Sequence, residues 1–251
     1  MQPKNPIFVA VDTPDVSRAR AIAEAIAPHV GGIKLGMEFC TAQGPQGVKA
    51  VLDGLDLPLF LDLKFHDIPN TVAGAIRSAV TSVAPFLVNV HTTGGPAMLQ
   101  AAAEAAAGSG SKVIGVTVLT SLNADDLGRV GIAGPVERRV VALAELAKSQ
   151  GCAGVVCSAA EIEAIKAACG SEFLTVVPGI RPAGADVGDQ KRVMTPRAAL
   201  DVGADFLVIG RPITGADDPA AAAKDEGRGQ RAGFGHGFAP GGDGPGVDTR
   251  A

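Results

Sequence analysis

Short, continuously apolar runs recur along the chain at 7–11, 32–35, 59–63, 86–90, 113–118, 154–157, 174–177 and 206–209. β-Branched residues are frequent in them, and several end in Gly, Pro or a charged residue. Runs of this length without strict alternation mark strands buried on both faces, as in a parallel sheet. Most of the stretches between them are Ala-rich and helical in pattern, among them 16–27, 95–107 and 135–149. The first of these is opened by Thr13-Pro14-Asp15, an N-terminal helix signal. Strand and helix in repeated alternation predict an α/β fold, a (β/α)8 TIM barrel forming one domain over residues 1–226. An open doubly wound sheet is the alternative. The lack of a Gly-x-Gly-x-x-Gly run after the first strand counts against its dinucleotide-binding form.

Composition narrows this picture. A length of 251 residues suits a single barrel, and 47% hydrophobic content supplies a sizeable core. With neither Tyr nor Trp in the chain, an aliphatic barrel interior is expected. A net charge of −4 without a long basic run gives no reason to expect nucleic acid as a partner. The longest apolar stretches are strand-length, so no membrane span is expected. Met1 to Pro6 lead directly into the first strand, so a signal peptide is not expected either. Cys40, Cys152, Cys157 and Cys169 form no Cys-x-x-Cys pair and no zinc pattern. They read as reduced, buried hydrophobes of a cytoplasmic protein, and no metal site is expected. From Gly227 to Ala251 the chain is Gly- and Pro-rich and nearly free of aliphatic residues, which predicts a disordered tail. The last helix is expected to start at Pro219 and stop early.

Candidate chemistry collects where the strands end, the rim on which barrels of this class carry reactive groups. Strand 1 ends at Asp12, strand 2 carries Lys34, and strand 3 ends in Asp62-Leu63-Lys64 with Asp67 just beyond. Residues two apart on a strand share a face, so Asp62 and Lys64 are both expected in the barrel mouth. A structural ion pair is one reading. A functional Asp-Lys-Asp-Lys array with Asp12 and Lys34 is the other, since buried charges are costly unless paired. Strand 5 ends at Thr120-Ser121, strand 7 at Pro178-Gly179-Ile180-Arg181 and strand 8 at Gly210-Arg211. The last two sites offer backbone amides and guanidinium forks suited to phosphate. The polar loop 181–195 is long enough to fold over a ligand. His66 and His91 are expected to be packed or hydrogen-bonded rather than catalytic.

The run Asp62-Leu-Lys-Phe-His-Asp-Ile-Pro-Asn-Thr71 resembles the signature of the orotidine 5′-phosphate decarboxylase family. Phe8-Val-Ala-Val-Asp12, Ile33-Lys-Leu-Gly36, Val177-Pro-Gly-Ile-Arg181, Gln190-Lys-Arg and Val208-Ile-Gly-Arg-Pro212 resemble family segments in the family's order. The shorter Asp-x-Lys-x-x-Asp pattern is shared with related sugar-phosphate decarboxylases, whereas the longer run and the Gln190 segment are more specific. The Gly-Pro-Val-Glu-Arg-Arg stretch is similar to the longer-chain branch of the family. The resemblance implies conversion of orotidine 5′-monophosphate to UMP and CO2 without metal or organic cofactor. It implies Lys64 as proton donor, Asp62 beside the departing carboxylate, and Lys34 and Asp12 at the ribose. Thr120, with Ser121, would contact the base. Gln190, Gly210 and Arg211 would grip the phosphate, supported by Arg181 and the Pro178 segment. Asp67 and Thr71 would reach the site of a neighbouring subunit, which implies a homodimer.

Overall fold

In the computed structural model, which describes residues 2–181 and 194–227, the chain closes into a barrel of parallel strands. The strands are β1 (Ile7–Ala10), β2 (Gly32–Gly36), β3 (Leu59–Phe65), β4 (Leu87–His91), β5 (Lys112–Val116), β6 (Gly154–Val156), β7 (Leu174–Val177) and β8 (Phe206–Ile209). Each pairs with the next in sequence, and β1 closes the ring on β8 with Phe8 opposite Val208. The apolar runs thus correspond to the strands. The open-sheet alternative is excluded.

Helices α1 (Val16–Ile26), α2 (Met37–Leu52), α3 (Pro69–Val83), α4 (Pro96–Ala106), α5 (Ala124–Arg129), α6 (Val136–Ser149), α7 (Ile162–Cys169), α8 (Pro196–Asp201), α9 (Arg211–Thr214) and α10 (Pro219–Glu226) follow the strands. The signal ahead of α1 acts as read: the Asp15 carboxylate accepts the Arg18 N–H at 2.7 Å. Pro69 and Pro96 sit in the first turns of α3 and α4, where a missing N–H costs nothing. α2 is kinked at Gly44, whose φ of 61° and following Pro45 interrupt the helical ladder.

Alternation along the strands sorts the core into two layers. Outward residues such as Val9, Ile33, Leu61 and Val88 pack against the helices in an aliphatic layer. The inner layer corrects the expectation from composition. Phe8, Phe60, Phe86 and Phe206 fill the floor of the barrel at the N-terminal ends of the strands. Phe8 meets Phe60 and Phe206 edge-on at 6.3 and 5.4 Å and stacks on Phe86 at 6.2 Å. Nine Phe suffice because closure brings these four together from distant positions. Gly32 makes room for them, since a Cβ there would run into the Phe8 ring and the Pro58 carbonyl.

None of the four cysteines forms a disulfide among the described residues, and Cys152, Cys157 and Cys169 are buried while Cys40 is half-buried. Burial pushes the Cys152 thiol up to about 12, as befits an unreactive packing residue. No helix among the described residues is long and apolar enough to cross a membrane. α10 ends as anticipated, but Gly227, read as the first disordered residue, forms a turn and donates to the Ala223 carbonyl at 3.1 Å. Residues 228–251 lie outside the described part, so the reading of a disordered tail is untested there.

Candidate active site

At the C-terminal ends of the strands, four charged side chains from β1, β2 and β3 form one line. Asp12 follows β1, and its carboxylate accepts from Lys34 Nζ at 3.2 Å. Lys34 Nζ lies 3.3 Å from Asp62 Oδ2, and Lys64 Nζ lies 2.6 Å from Asp62 Oδ1. The exposure is graded: the Asp12 side chain is 59% exposed, those of Lys34 and Asp62 only 10% and 12%. Burial disfavours the Lys34 ammonium, but the carboxylates of Asp62 and Asp12 outweigh it and raise its pKa above the usual lysine value. Burial likewise opposes ionisation of Asp62. The ammonium groups of Lys34 and Lys64, with hydrogen bonds from Lys64 and Asn89, hold its carboxyl below the usual range. Lys34 and Asp62 are therefore both ionised at neutral pH, each held so by its charged neighbours.

Simple alternation does not deliver Lys64 to this line. The register between β3 and β4 shifts between Leu61 and Phe65, and Lys64 takes a left-handed backbone with φ of 49°. For a non-glycine residue this costs about 1–3 kcal/mol, a strain that recurs at functional sites. Asn89 of β4, which the sequence reading passed over, spans the irregularity. Its Oδ1 accepts the Lys64 N–H at 2.8 Å, and its Nδ2 donates to Asp62 Oδ1 at 2.7 Å. The available signal was one polar residue inside the apolar run Leu87-Val-Asn-Val-His91.

The charges line a cavity of about 520 Å³, within the range of small-molecule sites. Across from them stand Pro178, Gly179, Arg181, Gly210 and Arg211 from the ends of β7 and β8. Gly179 has φ of 77°, a conformation that a side chain would strain. The buried Arg181 donates Nη1 to the Ile180 carbonyl at 2.9 Å. The ends of the polar loop are tied together, Arg181 N–H donating to the Met194 carbonyl at 3.1 Å. Gln190 and the rest of 182–193 lie outside the described residues. Val116, Val118, Leu119 and Val156 form an apolar wall, and Thr120 stands at its edge.

Most of the residues read from the sequence thus meet in one cavity, with three exceptions among the described ones. Ser121 is exposed and does not line the cavity, because the chain after Thr120 turns out toward solvent. Asp67 and Thr71 are exposed outside it, and Asp67 Oδ1 accepts the Ile68 N–H at 2.6 Å. His66, expected to be packed or hydrogen-bonded, is exposed, with its ring 5.5 Å from that of His91. Burial, His66 and Lys64 together lower the pKa of His91. Among the described residues no group of His, Cys, Asp and Glu is arranged to hold a metal ion.

The chain as a whole is similar to proteins of one family. An orotidine 5′-phosphate decarboxylase of Rhodospirillum rubrum is 54% identical over 228 residues, covering 88% of this chain and 92% of the relative. One of Paramagnetospirillum magneticum is 51% identical, covering 87% and 95%. The crystal structure of orotidine 5′-phosphate decarboxylase from Lactobacillus acidophilus superposes with a TM-score of 0.77 at 33% identity, covering 88% of this chain and 97% of that one. The family model for orotidine 5′-phosphate decarboxylase / HUMPS matches residues 5–225, from the strand before Asp12 to the helix after Arg211. The chain belongs to the orotidine 5′-phosphate decarboxylase / HUMPS family.

Proposed function

We propose that this protein decarboxylates orotidine 5′-monophosphate to UMP and CO2 in cytoplasmic pyrimidine synthesis, with Lys64 as proton donor and without a cofactor. The observation that carries the reading is the juxtaposition of the Asp12–Lys34–Asp62–Lys64 line with the Arg181, Gly210 and Arg211 group across one cavity. A nucleoside monophosphate has a matching polarity, a dianionic phosphate at one end and a reacting carboxylate at the other. With the phosphate at Arg211, the carboxylate on C6 falls beside Asp62 and Lys64. The bond from C6 to the carboxyl carbon breaks, the electron pair stays on C6, and CO2 leaves. Lys64 Nζ then delivers its proton to C6. A fixed ammonium at that carbon stabilises charge as it develops and needs no reorganisation at the moment of reaction. Phosphate binding far from C6 organises the site and so raises turnover as well as affinity.

The exposed Asp67 and Thr71 fit a second copy rather than this cavity. Ile68 between them is 66% exposed, an apolar residue at the rim that a subunit contact would cover. This supports a homodimer with shared sites.

The direct test is the loss of ultraviolet absorbance of orotidine 5′-monophosphate with purified protein in excess EDTA, beside Lys64→Ala. Turnover by the intact chain alone is expected. Absence of turnover refutes the activity, dependence on added magnesium points to a sugar-phosphate enzyme of the wider family, and equal rates in both proteins refute the role of Lys64. Mixing inactive Lys64→Ala and Asp67→Ala chains is expected to restore activity, since a hybrid dimer carries one intact site. No recovery on mixing would exclude shared sites.

A further inference from the structure

We infer that Asn89 is a positioning residue for the Asp62–Lys64 pair, a side chain of β4 that sets the geometry of the reacting groups on β3. The inference rests on the proposed roles of those two residues and adds a third that touches no substrate. Leu61 pairs with Val88 and Phe65 with Val90, so residues 62–64 stand opposite Asn89 alone. A regular parallel ladder cannot satisfy the backbone there, and the Asn89 side chain takes its place. Its carboxamide has an acceptor for the Lys64 N–H at 2.8 Å and a donor for Asp62 Oδ1 at 2.7 Å. Only one orientation of the amide works, because an N–H needs an oxygen and a carboxylate needs a donor.

The consequences reach both charged groups. Lys64, with φ of 49°, is held in its left-handed conformation by the bond to Asn89 Oδ1. Asp62 Oδ1 receives Asn89 and the Lys64 ammonium together, which fixes the plane of the carboxylate and leaves Oδ2 toward Lys34. Asn89 is 0% exposed, so water cannot replace the amide. At neutral pH no other side chain of this size does both jobs. Leu leaves the Lys64 N–H and the carboxylate without this partner, and an ionised Asp sets a second carboxylate against Asp62.

The test uses full-length wild type, Asn89→Leu and Asn89→Asp, with kcat and KM for orotidine 5′-monophosphate across pH and 13C NMR titration of the Asp62 carboxyl. Displacing reacting groups by an ångström costs on the order of 100-fold, so Asn89→Leu is expected to lose about that in kcat. KM should move much less, because the phosphate is held on the β7–β8 side. The Asp62 titration is expected to shift upward in Asn89→Leu. Asn89→Asp is expected to recover kcat as pH falls, because a protonated carboxyl restores one donor and one acceptor. Unchanged kcat in folded Asn89→Leu overturns the proposal. So does a joint loss of kcat, substrate affinity and melting temperature without acid recovery in Asn89→Asp, the pattern of mere strand packing. Should Asn89→Leu not fold, the pH profile of Asn89→Asp decides. If wild type has no decarboxylase activity, the proposed function fails by itself. The Asp62 titration, compared between wild type and Asn89→Asp, then tests Asn89 alone: a shift supports it and identical curves refute it.

Discussion

At the floor of the barrel Phe8, Phe60, Phe86 and Phe206 pack ring against ring. At the mouth, two to four residues further along β1 and β3, stand Asp12, Asp62 and Lys64. The same strands build both ends. Two residues of strand span about 7 Å, so Phe60 and Asp62 differ in environment over little more than the width of a side chain. The floor gains free energy from aromatic burial, roughly 25 cal/mol per Å² removed from water. The mouth does the opposite: it buries Lys34 and Asp62 against desolvation and holds Lys64 in a strained conformation. Stability and reactivity are therefore separated along the barrel axis, and mutations at the two ends should divide cleanly in what they change.

The largest effect expected is on rate. Lys64→Ala removes both proton donor and counter-charge and should lower kcat/KM by about a thousandfold or more while the protein stays folded, as measured by single-turnover absorbance and circular dichroism. The opposite case is Phe8→Ala, which empties the centre of the floor. A loss of about 3–5 kcal/mol in urea unfolding is expected, with kcat of the folded fraction within about a factor of three. A large drop in kcat without loss of stability would erase the division. Gly32→Ala overfills the floor and should cost about 1–3 kcal/mol by the same measurement. At the mouth, Lys64→Gly should be more stable than Lys64→Ala by about 1 kcal/mol, since glycine tolerates positive φ; equal stability would mean that the strain is not stored there.

The smallest effect is in the pH dependence. The Asp62 pKa is depressed in the fold, so its contribution is complete above the unfolded carboxyl value and is lost as pH falls through the folded one. The difference in unfolding free energy, wild type minus Asp62→Asn, should be level from about pH 5 to 9 and fall below about pH 4. The Lys34 pKa is raised, so its share is present below the unfolded lysine value and fades as pH rises beyond it. A difference curve without an acid limb would remove Asp62 from the ionised array.

What the sequence made legible follows from what is local. Each strand carries its own apolar run, and Asp62 and Lys64 stand close together in the chain with chemistry in their side chains. The Phe floor was hidden because its members lie at 8, 60, 86 and 206 and meet only when the ring closes. Asn89 was hidden for a related reason. Its task exists only because the neighbouring strand bulges, and nothing within Leu87-Val-Asn-Val-His91 reports a bulge in β3. Ser121 was misplaced because a loop's direction after Thr120 depends on packing, not on the residue beside it. His66 was read as packed or hydrogen-bonded because Lys64 takes the proton-transfer role, whereas the chain has already left the strand at that point and the side chain is exposed.

The pairing of β1 with β8 has a consequence for how the molecule is made. Phe8 must wait for Val208 to be synthesised before the ring can shut. Until then β1 exposes an unpaired edge, and the floor lacks Phe206. Contacts so distant in sequence form slowly, and the growing chain stays open to wrong partners for most of its synthesis.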